Sequence, residues 1–291
     1  MAKQIAVTIV GPGNLGTALS RALHAAGMRV AEIVYRGEGS ERRAKKLARE
    51  IGAKAIEFSK ADFRGDLIWL CVGDSVILPV ARALLKRRAW KGVTVFHSSG
   101  ALSSDELEPL RRNGAEVASV HPMMTFVPSS APTMTGAPFA IEGDPSGVRT
   151  ARGLVKRLGG EGFLIAKEDK PLYHALGAFV SPLIVAQMAA AERIGRELGW
   201  KPQQTRKIIA PILQRTVRNY VEHGPAAAFS GPIVRGDGET VRKNLSALQR
   251  VPGAEEIYRA LAKVAVKDLP SKDARAIAKA INDQGNLEPN S

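Results

Sequence analysis

Along the first half of the chain, short apolar runs take turns with segments whose apolar residues recur every three or four positions. The runs "IAVTIV", "MRVAEIVY", "AKAIEF", "DLIWLCV", "GVTVFH", "EVASVHPM", "PFAIEG" and "EGFLIA" are rich in β-branched residues and predict strands. Between them, Leu15, Ala18, Leu19, Ala22 and Leu23 fall on one helical face, and similar spacing predicts helices at 41–51, 77–86, 103–112 and 146–158. Strands with few polar positions, alternating with helices, imply a parallel sheet covered on both faces. From Asp169 the text is helical. Its first helix, "EDKPLYHALGAFVSPLIVAQMAAAERIGRELGW", is apolar on nearly every side at its start, which predicts burial in a bundle or between subunits. Pro182 and Pro211 are expected to bend their helices, further helices are read at 202–222, 238–250, 254–266 and 271–283, and the closing "GNLEPNS" reads as frayed.

The first strand runs into Gly11, Gly13 and Gly16, in G-x-G-x-x-G order, with a helix behind them. Here Gly11 would make a tight turn, Gly13 would let the backbone approach a pyrophosphate, and Gly16 would allow close helix–strand packing, with Asn14 and Leu15 beside the phosphates at the helix N-terminus. The expected fold is therefore α/β: a Rossmann dinucleotide-binding domain over 1–165, then an all-helical substrate and dimerisation domain over 166–291. About 20 residues beyond the glycines, an acid would read the ribose of NAD and an arginine the 2′-phosphate of NADP. This chain has Tyr35, Arg36, Ser40, Arg42 and Arg43 there, with Glu32 set back inside the strand. NADP is the expected cofactor, held by Tyr35, Arg36 and Arg42. No metal is expected.

Composition narrows the picture. The 291 residues suggest about two domains, and 45% apolar with 24% charged residues describe a globular protein. A formal charge of +14 raises nucleic-acid binding, but Lys and Arg are spread along the chain and aromatics reach only 5%, so a basic surface that attracts anionic small molecules fits better. The single cysteine, Cys71, lies in an apolar run and excludes an internal disulfide framework. No apolar run is read as reaching the roughly 18 residues of a membrane span, and "MAKQIAV" enters a strand without a signal pattern, so a cytoplasmic protein without a membrane partner is expected.

Ligands of open parallel sheets bind beyond the carboxyl ends of the strands. Those ends carry Val72 and Gly73, which would border the nucleotide; His97, a further cofactor contact; Ser98 and Ser99, for substrate; and His121. Lys170 and His174, spaced i, i+4, share a helix face. Reduction of a carbonyl or imine needs a proton donor, which Lys170 could be, assisted by His121 or His174; alternatively Lys170 is a surface residue at the helix start and His174 an interior one. In "SGPIVRGDGETVRKNL", Arg235 could clamp a substrate carboxylate, and Asp237 could line the site or cap the next helix.

Taken together, "GPGNLGTAL", "HSSGA", "HPMMTF", "EDKPLYHA" and "GPIVRGD" resemble the bacterial Rossmann-like/DUF2520 family. That family is similar in architecture to 6-phosphogluconate dehydrogenase-like enzymes: ketopantoate, pyrroline-5-carboxylate and deazaflavin-dependent NADP reductases, and 3-hydroxyacid dehydrogenases. The resemblance implies a 6-phosphogluconate dehydrogenase-like helical C-terminal domain, a homodimer built on the long helix, and a small-molecule substrate in a cleft between the domains. In the hydroxyacid and ketopantoate relatives a lysine at the start of that helix is the acid or base, and Lys170 matches it by position. An NADP-dependent oxidoreductase acting on a small carboxylate-bearing carbonyl or imine is expected, with ketopantoate the first substrate to try. A non-catalytic NADP(H)-sensing module and a deazaflavin-dependent reductase are the alternatives.

Overall fold

Strands that bury both faces need helices on both sides, and the alternating half of the chain supplies them. The computed structural model describes residues 5–127 and 133–283; the closing stretch expected to fray lies outside the described residues. In order come β1 (Ala6–Val10), α1 (Asn14–Ala25), β2 (Arg29–Tyr35), α2 (Glu38–Ile51), β3 (Lys54–Glu57), β4 (Leu67–Leu70), α3 (Ile77–Leu84), β5 (Thr94–His97), α4 (Glu108–Arg111), β6 (Glu116–Pro122), β7 (Pro138–Gly143), α5 (Pro145–Arg157) and β8 (Glu161–Leu164). They build one sheet in the order β3-β2-β1-β4-β5-β6-β7-β8. Val7, Ile9, Trp69, Phe96 and Val120 meet α1, α2 and α5 on one face, while Val10, Ile68, Leu70 and Val95 meet α3 and α4 on the other. The inner strands are thus buried on both sides, as their composition requires, while the edge strands β3 and β8 are partly or wholly exposed.

Two strands depart from the expected parallel sheet. β7 pairs antiparallel with β6, Val120 opposite Ile141, and β8 is again parallel to β7. The described residues between β6 and β7 contain no crossover helix, so the chain returns in the opposite direction; α5 supplies the crossover to β8.

After β8 follow α6 (Lys170–Val180), α7 (Pro182–Glu197), α8 (Pro202–Ala228), α9 (Pro232–Arg235), α10 (Gly238–Leu248), α11 (Ala254–Asp268) and α12 (Ala274–Asn282). The long helix is broken at Ser181 (φ −131°, ψ −86°), directly before Pro182. Helical geometry continues through Pro211, and α8 breaks instead at Gly224, φ +77°. Compact units divide at Phe179/Val180 rather than near 165, because Lys170 and Tyr173 of α6 are buried with the sheet.

The helical unit buries Val241, Leu245, Ala262, Ile277, Ala280 and Ile281 in its own core. Leu183, Val185, Ile212, Val217, Tyr220 and Val221 of α7 and α8 are exposed. Within Lys167–Glu197 an 18-residue window reaches a mean hydropathy of 1.5, so the stretch is long and apolar enough by length and composition to cross a membrane. This corrects the reading that no apolar run is that long: alanines such as Ala189, Ala190 and Ala191 sustain the hydropathy between bulkier residues.

Candidate functional site

The glycine turn has two closed positions and one open one. Gly11 adopts φ +98°, and a Cβ there would lie 2.5 Å from the Cys71 carbonyl oxygen; at Gly16 it would lie 2.1 Å from the Gly11 oxygen. Both positions require glycine. Around a Cβ at Gly13 there is nothing within 4 Å, so the middle glycine faces open space. Gly13 also precedes α1 without any side-chain cap, which leaves first-turn N–H groups for an anion. These features fit a dinucleotide pyrophosphate. Leu15 packs against the core, and the Asn14 amide donates to the Phe126 carbonyl at 3.0 Å, so both residues offer the phosphates their backbone rather than their side chains.

At the end of β2, Tyr35 is half-buried, and Arg36 and Arg42 are exposed. Ser40 Oγ closes the turn by donating to the Arg36 oxygen at 2.9 Å. Arg43, which the sequence reading passed over as a ligand, reaches back to the Pro12 carbonyl at 3.4 Å and so stands beside the glycine turn. The nearby acid is used elsewhere: Glu32 is buried, and its carboxylate accepts from Thr8 Oγ at 2.8 Å within the sheet. Beyond β4, Val72 is half-buried and Gly73 exposed, at the same sheet edge as Gly11.

The β5 end corrects three expectations. His97 is fully buried; its Nδ1 accepts from Ser99 N–H at 3.1 Å and its Nε2 meets the Ser103 oxygen at 2.9 Å. Burial pushes its pKa down to about 4. With both nitrogens engaged by backbone, His97 latches the turn and is no cofactor contact. Ser98 Oγ accepts from Trp69 Nε1–H at 2.8 Å and donates to the Val120 oxygen at 2.9 Å. Ser99 Oγ accepts from the N–H groups of Ala101 and Leu102 at 3.2 and 2.9 Å. Ser98 is thus engaged as both donor and acceptor, and Ser99 is buried and accepts from its own turn, because a strand end must satisfy its own backbone first.

Lys170 is neither a surface residue nor open to a ligand. It is 0% exposed, and Nζ donates to the Ser99 oxygen at 2.9 Å and Ser119 Oγ at 2.5 Å. Burial lowers its pKa to about 8 against the opposing pull of the Glu142 and Asp74 carboxylates. Glu142 is itself buried and bound by the Ser104 N–H and hydroxyl, at 2.6 and 2.8 Å. One turn along, His174 is exposed rather than interior.

A residue the sequence reading missed completes the cluster. Tyr173 Oη lies 2.8 Å from His121 Nδ1, with the rings edge-to-face at 5.5 Å. Its spacing of three from Lys170, on the same helix face, was the only available signal. Burial first, then the charges of Lys170 and His174, lowers the His121 pKa to about 4. A Cβ at Gly100 would lie 2.8 Å from His174 Cδ2 and 2.9 Å from His121 Nε2, so the two rings close on Gly100 and only glycine fits beneath them. In the helical unit, Arg235 is exposed at the end of α9, and Asp237 caps α10 by accepting from Thr240 N–H at 3.0 Å and Thr240 Oγ1 at 2.7 Å. The capping reading of Asp237 holds: its carboxylate serves the N-terminus of α10.

A Rossmann-like domain matches residues 1–122, and a domain of unknown function, DUF2520, matches residues 137–265. The chain joins a Rossmann-like domain to a DUF2520 domain. The DUF2520 region begins inside the sheet, at β7, and carries Lys170, Tyr173, His174, Arg235 and Asp237. No curated protein matches the chain. Among solved structures, it is similar to a provisionally assigned NADP oxidoreductase from Bacteroides fragilis (19% identity, TM-score 0.74, covering 90% of this chain and 97% of the other). An imine reductase from Myxococcus stipitatus in complex with NADP+ is similar over 95% and 99% of the chains (17%, 0.66). So is a reductive aminase from Aspergillus terreus in complex with NADPH, over 96% and 99% (17%, 0.62). At these identities the likeness shows the fold: an N-terminal Rossmann sheet with a helical C-terminal region.

Proposed function

We propose that this Rossmann-like/DUF2520 protein is an NADP-dependent oxidoreductase acting on a small carbonyl or imine compound that bears a carboxylate. The observation that carries the reading is the glycine turn, closed at Gly11 and Gly16 and open at Gly13, with arginines at the ribose position and the strand acid Glu32 turned into the sheet. The Lys170, His121 and Tyr173 cluster stands at the carboxyl edge of the same sheet. NADPH, when bound, supplies a hydride. The chain's part is to hold the pyrophosphate on the backbone from Gly11 to Gly16, pair the 2′-phosphate with Arg36, Arg42 and Arg43, and provide a proton beside the substrate. Relatives of the same fold solved with NADP+ or NADPH support the cofactor choice. Arg235, exposed and cationic, is the proposed carboxylate anchor.

Fluorescence titration tests the cofactor. The unmutated chain should bind NADPH more tightly than NADH, and Arg36→Asp should weaken NADPH while sparing NADH. Equal affinities for the two cofactors would sink the assignment. Loss of NADPH absorbance with a panel of 2-oxo acids led by ketopantoate, cyclic imines and a deazaflavin then separates an enzyme from a binding module.

A further inference from the structure

A cavity of about 680 Å³ lies in the sheet unit along α1, from Asn14 to Ala26, bordered by Arg43 and Lys46 of α2 and Arg157 of α5. It follows α1 over the 12 residues of the helix, about 18 Å, away from the glycine turn. We propose that this cavity is a second binding site, separate from the dinucleotide turn, for a phosphate monoester with an apolar body.

Charge selects an anion. The charged side chains that line the cavity are Arg21, Arg43, Lys46 and Arg157, with no carboxylate among the described residues. Glu50 sits behind this wall and is already committed, its two oxygens accepting from Arg21 at 2.7 and 2.8 Å. Lys46 therefore acts on Glu50 only through space. Neither Lys46 nor Arg157 forms an ion pair among the described residues, and Arg43 has the Pro12 carbonyl as its partner, at 3.4 Å. Like charges around one cavity repel, and an anion among them relieves the repulsion. Three cations without an acid match more than one negative charge. A phosphate monoester carries about 1.5–2 at neutral pH, where a carboxylate carries one.

Shape selects the body. Ala18, Ala22 and Ala25 fall on one stripe of α1 and line the cavity together with Leu47, Met134 and Leu158. Their small side chains leave room that larger ones would fill, and they offer apolar surface between the cations. The volume falls within the roughly 300–1,000 Å³ of small-molecule sites.

The test is amide ¹H–¹⁵N NMR of the full chain, titrated with naphthyl phosphate and with inorganic phosphate, each with and without NADPH. Naphthyl phosphate should give saturable shifts at Ala18, Ala22 and Lys46 that persist when NADPH is present. Inorganic phosphate, lacking the apolar body, should bind about tenfold more weakly or worse. Lys46→Glu combined with Arg157→Glu should weaken naphthyl phosphate by about tenfold or more, with NADPH affinity kept. Both side chains are exposed, so the double variant should fold, which its amide spectrum away from α1 would show. Absence of saturable shifts along α1, displacement by NADPH, equal affinity for inorganic phosphate, or full affinity in the double variant would each overturn the proposal. A chain that bound naphthyl phosphate along α1 but no NADPH would support this site and count against the oxidoreductase reading.

Discussion

In the sheet unit Ile9, Trp69, Phe96 and Phe139 are fully buried, whereas in the helical unit Ile212, Tyr220 and Val221 stand 69%, 59% and 76% exposed. The first unit covers its sheet with helices on both faces and leaves large apolar side chains out mainly at β8 and α6, where Leu164, Leu172 and Phe179 are exposed. The second packs a core cluster of six buried residues from α10, α11 and α12 and leaves α7 and α8 showing large apolar side chains. Contiguous apolar surface of that kind marks an interaction face. A second copy of the chain is the proposed cover, which would make the helical unit's stability a property of the dimer.

The largest expected effect follows from breaking that cover. Ile212→Asp with Val221→Asp would place charges in a dry interface, at a cost of about 3–5 kcal/mol for each uncompensated charge, or at least about 10²-fold in dimer dissociation. Sedimentation should show a dimer for the unmutated chain and a monomer for the double variant, with NADPH binding by the sheet unit retained. A monomeric unmutated chain would remove the dimer, and one recovered only in detergent would turn attention to the membrane-length stretch Lys167–Glu197.

The same contrast decides what could be read from sequence. The glycine turn was legible because Gly11 and Gly16 leave no room for a Cβ, a demand of local backbone geometry that a motif records. The arginines after β2 were legible because the distance from turn to strand end is set by one β-α-β unit. His97, Ser98 and Ser99 were misread because the direction and partners of a strand-end side chain depend on neighbouring strands: Ser98 meets Trp69 of β4 and Val120 of β6. Tyr173 escaped notice because its partner His121 lies 52 residues away on another element. Sequence period located α6 and yet could not tell that Lys170 turns inward while His174 stays exposed.

Within the sheet unit, Lys170 is a buried ionisable group, and it yields a pH signature of intermediate size. Its folded pKa, about 8, lies below the ordinary lysine value of 10.5. Between these values the unfolded chain holds a proton that the folded chain has shed, so stability rises with pH across that window and is flat with respect to this group below it. The total rise is on the order of a few kcal/mol. Lys170→Met, of similar volume and without a charge, should abolish the rise in chemical denaturation followed from pH 7.5 to 10.5. An unchanged slope would mean that the ammonium is not buried in solution.

The smallest expected effect distinguishes two neighbours in the helical unit, Asp237 and Arg235. Asp237 accepts from the Thr240 backbone and hydroxyl, and these hydrogen bonds hold its carboxyl below the usual carboxylate value. A cap of this kind contributes stability above the ordinary carboxylate pKa and loses it as pH falls through the lowered folded value. Asp237→Ala should therefore lower Tm by a few degrees at neutral pH and by progressively less in acid, because the lost bonds serve the helix N-terminus. Turnover on whichever substrate the absorbance panel identifies should be unaffected. Arg235→Ala should do the reverse, leaving Tm in place and raising KM at constant kcat, since a carboxylate clamp binds ground state and transition state alike. If Asp237→Ala also raised KM with its Tm unchanged, the carboxylate would belong to the substrate site and the cap would be incidental.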